Sequence, residues 1–425
     1  MSANILLVEF GEYYLLNSGL IKEGVENVAA LMKIKDFRYL WSAGGLYHIA
    51  RWMDPVVMGL MMLELTGSAA QVAILLGLKW SPMFLFASFS GYISMLFSRK
   101  KVMLITQAGT AATMVSLLLL TIMGLTESWH LQIGAFLLGV FYVLDFPAKR
   151  TSIHDVSQSN RLSNAMFLDI INHALGKGVG PFLAGAAIYY FSYAGAFTVL
   201  LCLSISSFAL LLNFNFQQPA VKILIKELPR EFVQGFSRVL GNKVILGFLL
   251  SNLIFNWFVF SCESLLPVVA TIDLKVNPLY AGILVSAFGT GAFVGGLTMT
   301  FVGNMELKGR VLTFGILIQI LGFFVFGLSG FYMLSYVFLF VAGFGNALLS
   351  AMGTSIVLLN ISQKDRPVGL GIVGQFVGSA AFGGYATAYL ASQFGASTTM
   401  VINQIAGLSL FILVLMFFPI FNNRT

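Results

Sequence analysis

Charge is scarce in this chain. Of its 425 residues only 10% are Asp, Glu, Lys or Arg, against about a quarter in a soluble domain. Cysteine is scarcer still. Cys202 and Cys262 both fall inside apolar runs, so they outline no disulfide framework and no metal site, and read as buried small apolar residues. No GxxxxGK[ST] loop, nucleophile elbow or zincin motif occurs, and no His, Cys and acid cluster has metal-ligand spacing; His130 and His154 are expected in loops. An enzyme therefore has no residues to stand on, and neither cofactor nor metal is expected. The alternating short segments of a membrane barrel are missing too. The opening stretch MSANILLVEFGEYYLLNSG has acids and no basic n-region, so no cleavable signal peptide is expected. Residues 1–31 are expected to be a cytoplasmic extension, either a short amphipathic element or an upstream start.

What is abundant is apolar length. The chain is 58% hydrophobic with a mean hydropathy of +0.88, and runs of roughly 20 apolar residues recur, enough to cross a bilayer core. Apolar runs between charged breaks predict twelve spans: 39–63, 69–96, 102–124, 130–146, 163–191, 195–216, 244–270, 278–302, 311–329, 333–359, 368–394 and 397–421. The fold class is thus an all-α membrane protein. The long connector is basic and amphipathic and is expected to lie as a helix on the membrane surface. It divides the chain into an extension (1–31), a six-helix half (32–217), a linker (218–243), a second six-helix half (244–421) and a tail (422–425).

The net charge of +7 follows topology and not nucleic acid. Lys33, Lys35, Arg38, Arg99, Lys100, Lys101, Lys149, Arg150, Arg161, Lys308, Arg310, Lys364 and Arg366 all fall on one side, whereas the opposite loops hold only Lys275. The positive-inside rule then makes both termini cytoplasmic in a multi-pass plasma-membrane protein.

Three cations and three acids are read inside the spans: Arg51, Lys79 and Lys177 against Asp54, Asp169 and Glu263. Each costs at least ~2.5 kcal/mol near the bilayer centre, so each is a candidate for the transport pathway or for proton coupling. Arg51 and Asp54 share a face and are suited to neutralise each other. On span five, Asp169, Asn172, His173, Gly176, Lys177, Gly180 and Ala184 fall within about 140° of one another. Asp169 and His173, and His173 and Lys177, are four apart, within mutual reach. Gly176 and Gly180 form a small-residue seam, and Pro181 is expected to bend the helix. Asn252, Asn256 and Glu263 are a weaker polar face on span seven, with Glu263 toward the outer end. Gln375 and Ser379, and Asn346 and Ser350, read as helix-to-helix glue. Trp52, Trp80, Phe255 and Trp257 are candidate walls of an apolar cavity.

Two six-span halves with a basic connector resemble the major facilitator superfamily. Gly176-x-x-x-Gly180-Pro181-x-x-Ala184-Gly185 resembles the fifth-span signature GxxxGPxxGG of its exporters. FRYLWSAGG, RWMD with LELTGSAAQVA, Asp145-Phe146-Pro147-Ala148-Lys149-Arg150, Arg161-Leu162-Ser163-Asn164-Ala165 and GFGNALLSAMGT before Asp365-Arg366 resemble the enterobactin-exporter and macrolide-efflux branch. The resemblance covers residues 32–421. Two departures stand out. In the loop after Gly91, Met95 and Leu96 replace the family's Asp-Arg latch, leaving Arg99 and Lys100 to contact helix C-termini or anionic lipid. FLLGVFYVLDF, in span four, lacks the arginine of proton antiporters.

The resemblance implies an exporter of small amphipathic or hydrophobic molecules, working by alternating access around a midplane site. A monomer in the bilayer is implied, with a small-molecule substrate and protons as partners and no nucleic acid. Asp169 is the first proton-coupling candidate, held by Lys177 or His173, followed by Asp54 and Glu263. An uncoupled facilitator or importer, or a receptor or scaffold that transports nothing, are the alternatives.

Overall fold

The computed structural model describes residues 26–157, 161–215, 241–302, 308–360 and 366–418, and among these every regular element is helical. Residues 1–25 and nearly all of the linker lie outside the described residues, as does the tail. The first four crossings are α1 (Lys35–Thr66), α2 (Ala69–Leu96), α3 (Arg99–Ile122) and α4 (Ser128–Ser157). Helix Leu162–Leu212 breaks at Ser192 (φ 62°, ψ −177°), which yields α5 (162–191) and α6 (193–212). The break falls between the two expected spans, and Pro181 sits inside continuous helix.

The second half opens with α7 (243–272), built in four pieces. Helix Lys243–Ile254 runs into a π turn (Phe255–Val259), a 3₁₀ turn (Phe260–Leu265) and helix Leu266–Ile272. Then come α8 (Pro278–Val302), α9 (Lys308–Leu328), α10 (Tyr332–Asn360), a divided α11 (Arg366–Gly378 and Ala380–Phe394) and α12 (Ala396–Phe417). All twelve expected spans are thus helical. By length and composition nine of the described helices can cross a membrane, one of them being the joined α5–α6. The other two crossings are α1, which carries Arg51 and Asp54 mid-span, and α11, which is interrupted at Ser379.

Helices are what the bilayer permits, because each satisfies its own backbone. Their ends are marked locally. Ser68 caps α2 by accepting from the Gln71 amide at 3.4 Å, and Asn242 caps α7 through Val244 and Ile245. Gly67, at φ 61°, closes α1 in the left-handed conformation that favours glycine.

Lipid tails are as apolar as leucine, so helices associate by close packing of small residues. Two seams join the first six helices to the last six, α5 on α8 and α2 on α11. In the first, Gly185 and Gly282 bring the backbones together; a methyl at Gly282 would meet the Pro181 carbonyl and the Gly185 backbone. Within the first half, α5 lies along α1, where methyls at Gly176 and Gly180 would strike the backbone of His48 to Met53.

The main core runs through the middle of the bundle, and a smaller one sits at the end where α1 begins. Leu31 is fully buried in the smaller core with Phe37, Leu40 and Phe214, so the end of the N-terminal extension belongs to the fold. Outward faces are apolar and exposed, as at Ile105, Tyr190, Phe331 and Met416. Cys262 is buried, whereas Cys202 is exposed on α6, contrary to its reading as an interior residue.

Candidate functional site

Between the two halves lies a cavity of about 70 Å³. Its wall is formed by Arg51 and Trp52 of α1, Lys79 and Trp80 of α2, Lys177 of α5, Phe260 and Glu263 of α7, and Phe288 of α8. Small-molecule sites usually measure roughly 300–1,000 Å³. The cavity is therefore smaller than a usual small-molecule site.

Five of the six expected intramembrane charges meet here, but not in the expected pairs. Asp54 takes the Lys79 ammonium, both side chains under a tenth exposed, and Lys79 also donates to the Arg51 carbonyl at 3.2 Å. Arg51 is not neutralised by Asp54. Its guanidinium lies over the Tyr142 ring, 3.1 Å from the centroid, and 5.3 Å from that of Trp80. Helical spacing puts Arg51 and Asp54 on one face, and the facing helices α2 and α4 then supply the better partners.

The same holds for α5. Lys177 does not turn back to His173; it donates to Glu263 on α7 at 3.0 Å, with side-chain exposures of 7% and 9%. Its ammonium also stands 4.5 Å from the Trp52 ring and 4.1 Å from that of Phe288. Glu263 is consequently a buried, paired acid on the cavity wall. The π turn and 3₁₀ turn that precede and contain it change the helical register, which the even spacing assumed for span seven did not allow for.

Asp169 forms a separate cluster nearer the end where α1 begins. Its carboxylate lies 3.2 Å from the Lys149 ammonium and 3.9 Å from both His48 and Arg150, while Lys149 and His48 are 2.9 Å apart. Neither Lys177 nor His173 holds it. Lys149, counted as a loop charge, is buried in α4. His173 packs edge-on to His48 and Trp52 with centroids 5.2 and 5.4 Å away, yet is exposed.

Several participants went unread. Asp145 is 1% exposed and accepts from the Thr106 hydroxyl at 3.1 Å; Asp145 and Lys149, four apart in DFPAKR, were the available signal. Tyr142, Phe260 and Phe288 had none, being three aromatics among many. Of the four aromatics expected at a cavity, Trp52 and Trp80 line it; Phe255 and Trp257 do not. His130 and His154 belong to the first and last turns of α4 and not to loops. Asn256 bonds Asn252, and Ser350 and Ser379 bond their own helices, so none of these makes a cross-helix bond.

The turn between α2 and α3 spans only Phe97 and Ser98, and Gly91, Met95 and Leu96 are helical. Arg99 pairs with Asp155 in the last turn of α4, and Lys100 donates to the last carbonyl of α6, Leu212, at 2.8 Å. A cation at a helix C-terminus complements its dipole. The turn is tied to α4 and α6 without the missing Asp-Arg pair.

Residues 27–423 match the family described as transmembrane secretion effector, and the chain belongs to it. Solved structures of the same fold include a POT family transporter in complex with 5-aminolevulinic acid (TM-score 0.76, 11% identity, 90% of this chain and 96% of that one). A bacterial homologue of the human lysosomal transporter Spinster, inward-facing and unoccupied, aligns at TM-score 0.67 and 13% identity over 91% and 95% of the two chains. A nucleoside transporter aligns at 0.70 and 14% over 91% and 99%. No curated protein matches the sequence. The protein is a membrane transporter of the major facilitator fold and not an enzyme.

Proposed function

We propose that this transporter exports small amphipathic molecules by alternating access, with proton binding coupled to the movement. The observation that carries the reading is the Lys177–Glu263 bond, which ties α5 of one half to α7 of the other at the wall of an aromatic cavity. An acid that bridges two moving bodies is suited to coupling. Ionised, Glu263 holds Lys177 and favours the closed arrangement; protonated, it loses the charge that holds them together. The fifth-span glycines, which resemble the exporter signature, support the outward direction. Glu263 is better placed for this than Asp169, whose partners all belong to the first half.

Substrate and proton movement in proteoliposomes test the reading. Substrate-triggered proton flux that disappears in Glu263→Gln is the expected result. Substrate movement with no proton flux in the unaltered protein would make it a facilitator.

A further inference from the structure

The charges lining the cavity do not balance. Asp54 is committed to Lys79 and Glu263 to Lys177, which leaves Arg51 as the cation of the lining without an ion pair; Asp145, the next buried acid, lies outside the lining and accepts from Thr106. Arg51 is 7% exposed, and its guanidinium meets aromatic faces with no carboxylate in ion-pair range among the described residues. Its Nε is buried with no hydrogen-bond partner, and so is Nε1 of the adjacent Trp52. Both residues line the cavity. Both of these unpartnered atoms are donors; the unpartnered carbonyl and carboxylate oxygens, on Gln107, Asp169, Gln319 and Gln404, belong to residues outside the lining.

A buried cation flanked by idle donors recognises an acceptor that carries negative charge. The rest of the wall is apolar and aromatic, with Leu75, Val285, Phe260 and Phe288 facing the same space. We infer that the transported molecule is an organic anion: a carboxylate or similar oxyanion seated at Arg51 and Trp52, with an apolar or aromatic body against Trp80, Phe260 and Phe288. This rests on the transport reading above and names the substrate class of that site. A neutral or cationic amphipath would leave Arg51 unanswered, and a cation would add like-charge repulsion from it. The geometry assigns the anion's seat to α1 and leaves the Lys177–Glu263 bond to the movement of the halves.

The test is a series with one body and three heads, 1-naphthylacetate, 1-naphthylacetamide and 1-naphthylmethylammonium, titrated into the purified protein in nanodiscs and followed by tryptophan fluorescence. Lysophosphatidylglycerol forms a further arm, separating a lipid anion from a dissolved one. The carboxylate is expected to bind at least about tenfold more tightly than the amide, and the ammonium weakest, as for a hydrogen bond to a charged group. In Arg51→Gln the advantage of the carboxylate over the amide falls to within about threefold, and Arg51→Lys restores part of it. Preference for lysophosphatidylglycerol over naphthylacetate would make the anion a lipid.

Equal binding of carboxylate and amide, or a preference for the ammonium, overturns the anion seat, and the head comparison does not depend on any variant folding. Counterflow in proteoliposomes separates this from the broader reading. Movement of the amide or the ammonium keeps a transporter and discards the anion; movement and binding of none of the compounds counts against both.

Discussion

Lys177 and Glu263, 86 residues apart in sequence, meet at 3.0 Å inside the bundle and bond the first six helices to the last six. Both are buried at the edge of a cavity, and each would be an isolated charge without the other.

Removing one partner strands the other. Glu263→Gln or Lys177→Met is expected to lower stability by about 3–5 kcal/mol, and the double variant Lys177→Met/Glu263→Met to recover most of it. Thermal unfolding of the four proteins in one detergent checks this. A double variant as unstable as the sum of the singles would mean the two residues act independently.

Asp169 anchors α5 to α1 and α4 through His48 and Lys149. Asp169→Asn is expected to cost about 2–4 kcal/mol of stability, for the same reason, and to leave part of the substrate-triggered proton flux in place. Flux measured beside Glu263→Gln separates an anchor from a coupling acid: complete loss in Asp169→Asn with normal flux in Glu263→Gln would exchange their roles.

The α5–α8 seam depends on small residues. Gly282→Val introduces side-chain atoms where Gly185 and the Pro181 carbonyl already sit. It is expected to destabilise by about 1–3 kcal/mol and to slow transport, whereas Gly330→Val, whose added Cβ meets nothing within 4 Å, should do neither. Equal transport by the two variants would show that the seam tolerates separation.

His173 is exposed although it stands beside His48 and Trp52. In a Cys202→Ser/Cys262→Ser background, His173→Cys is expected to react with a membrane-impermeant maleimide added on the side of the termini, and more slowly from the other side. Labelling of right-side-out and inverted vesicles reads this directly, and the reverse pattern would open His173 to the opposite face.

The Arg99–Asp155 pair ties the α2–α3 turn to α4. A double-mutant cycle with Arg99→Ala and Asp155→Ala is expected to give a coupling of about 1–3 kcal/mol for charges this little exposed. A coupling near zero would leave Lys100 on the Leu212 carbonyl as the tie for that turn.

The twelve crossings were legible in the sequence because a bilayer imposes one length and one composition on anything that spans it. Most buried charges were legible for a related reason: an ionisable residue in an apolar run stands out against its neighbours. Asp145 and Lys149 escaped because they lie near the end of a run, where a charge reads as a boundary. Partnership was not legible. Spacing of three or four identified Arg51 with Asp54 and Asp169 with His173 as neighbours on a face, but a side chain on that face points away from its own helix. It pairs with whatever the opposite helix offers. Asp54 thus chose Lys79, Asp169 chose Lys149 and His48, and Lys177 chose Glu263. Local order along the chain decided the helices and their polar faces, since periodicity and desolvation act within a span. The pairing of charges, the cavity and the unanswered Arg51 were decided by tertiary structure alone, because they depend on which faces the glycine seams press together.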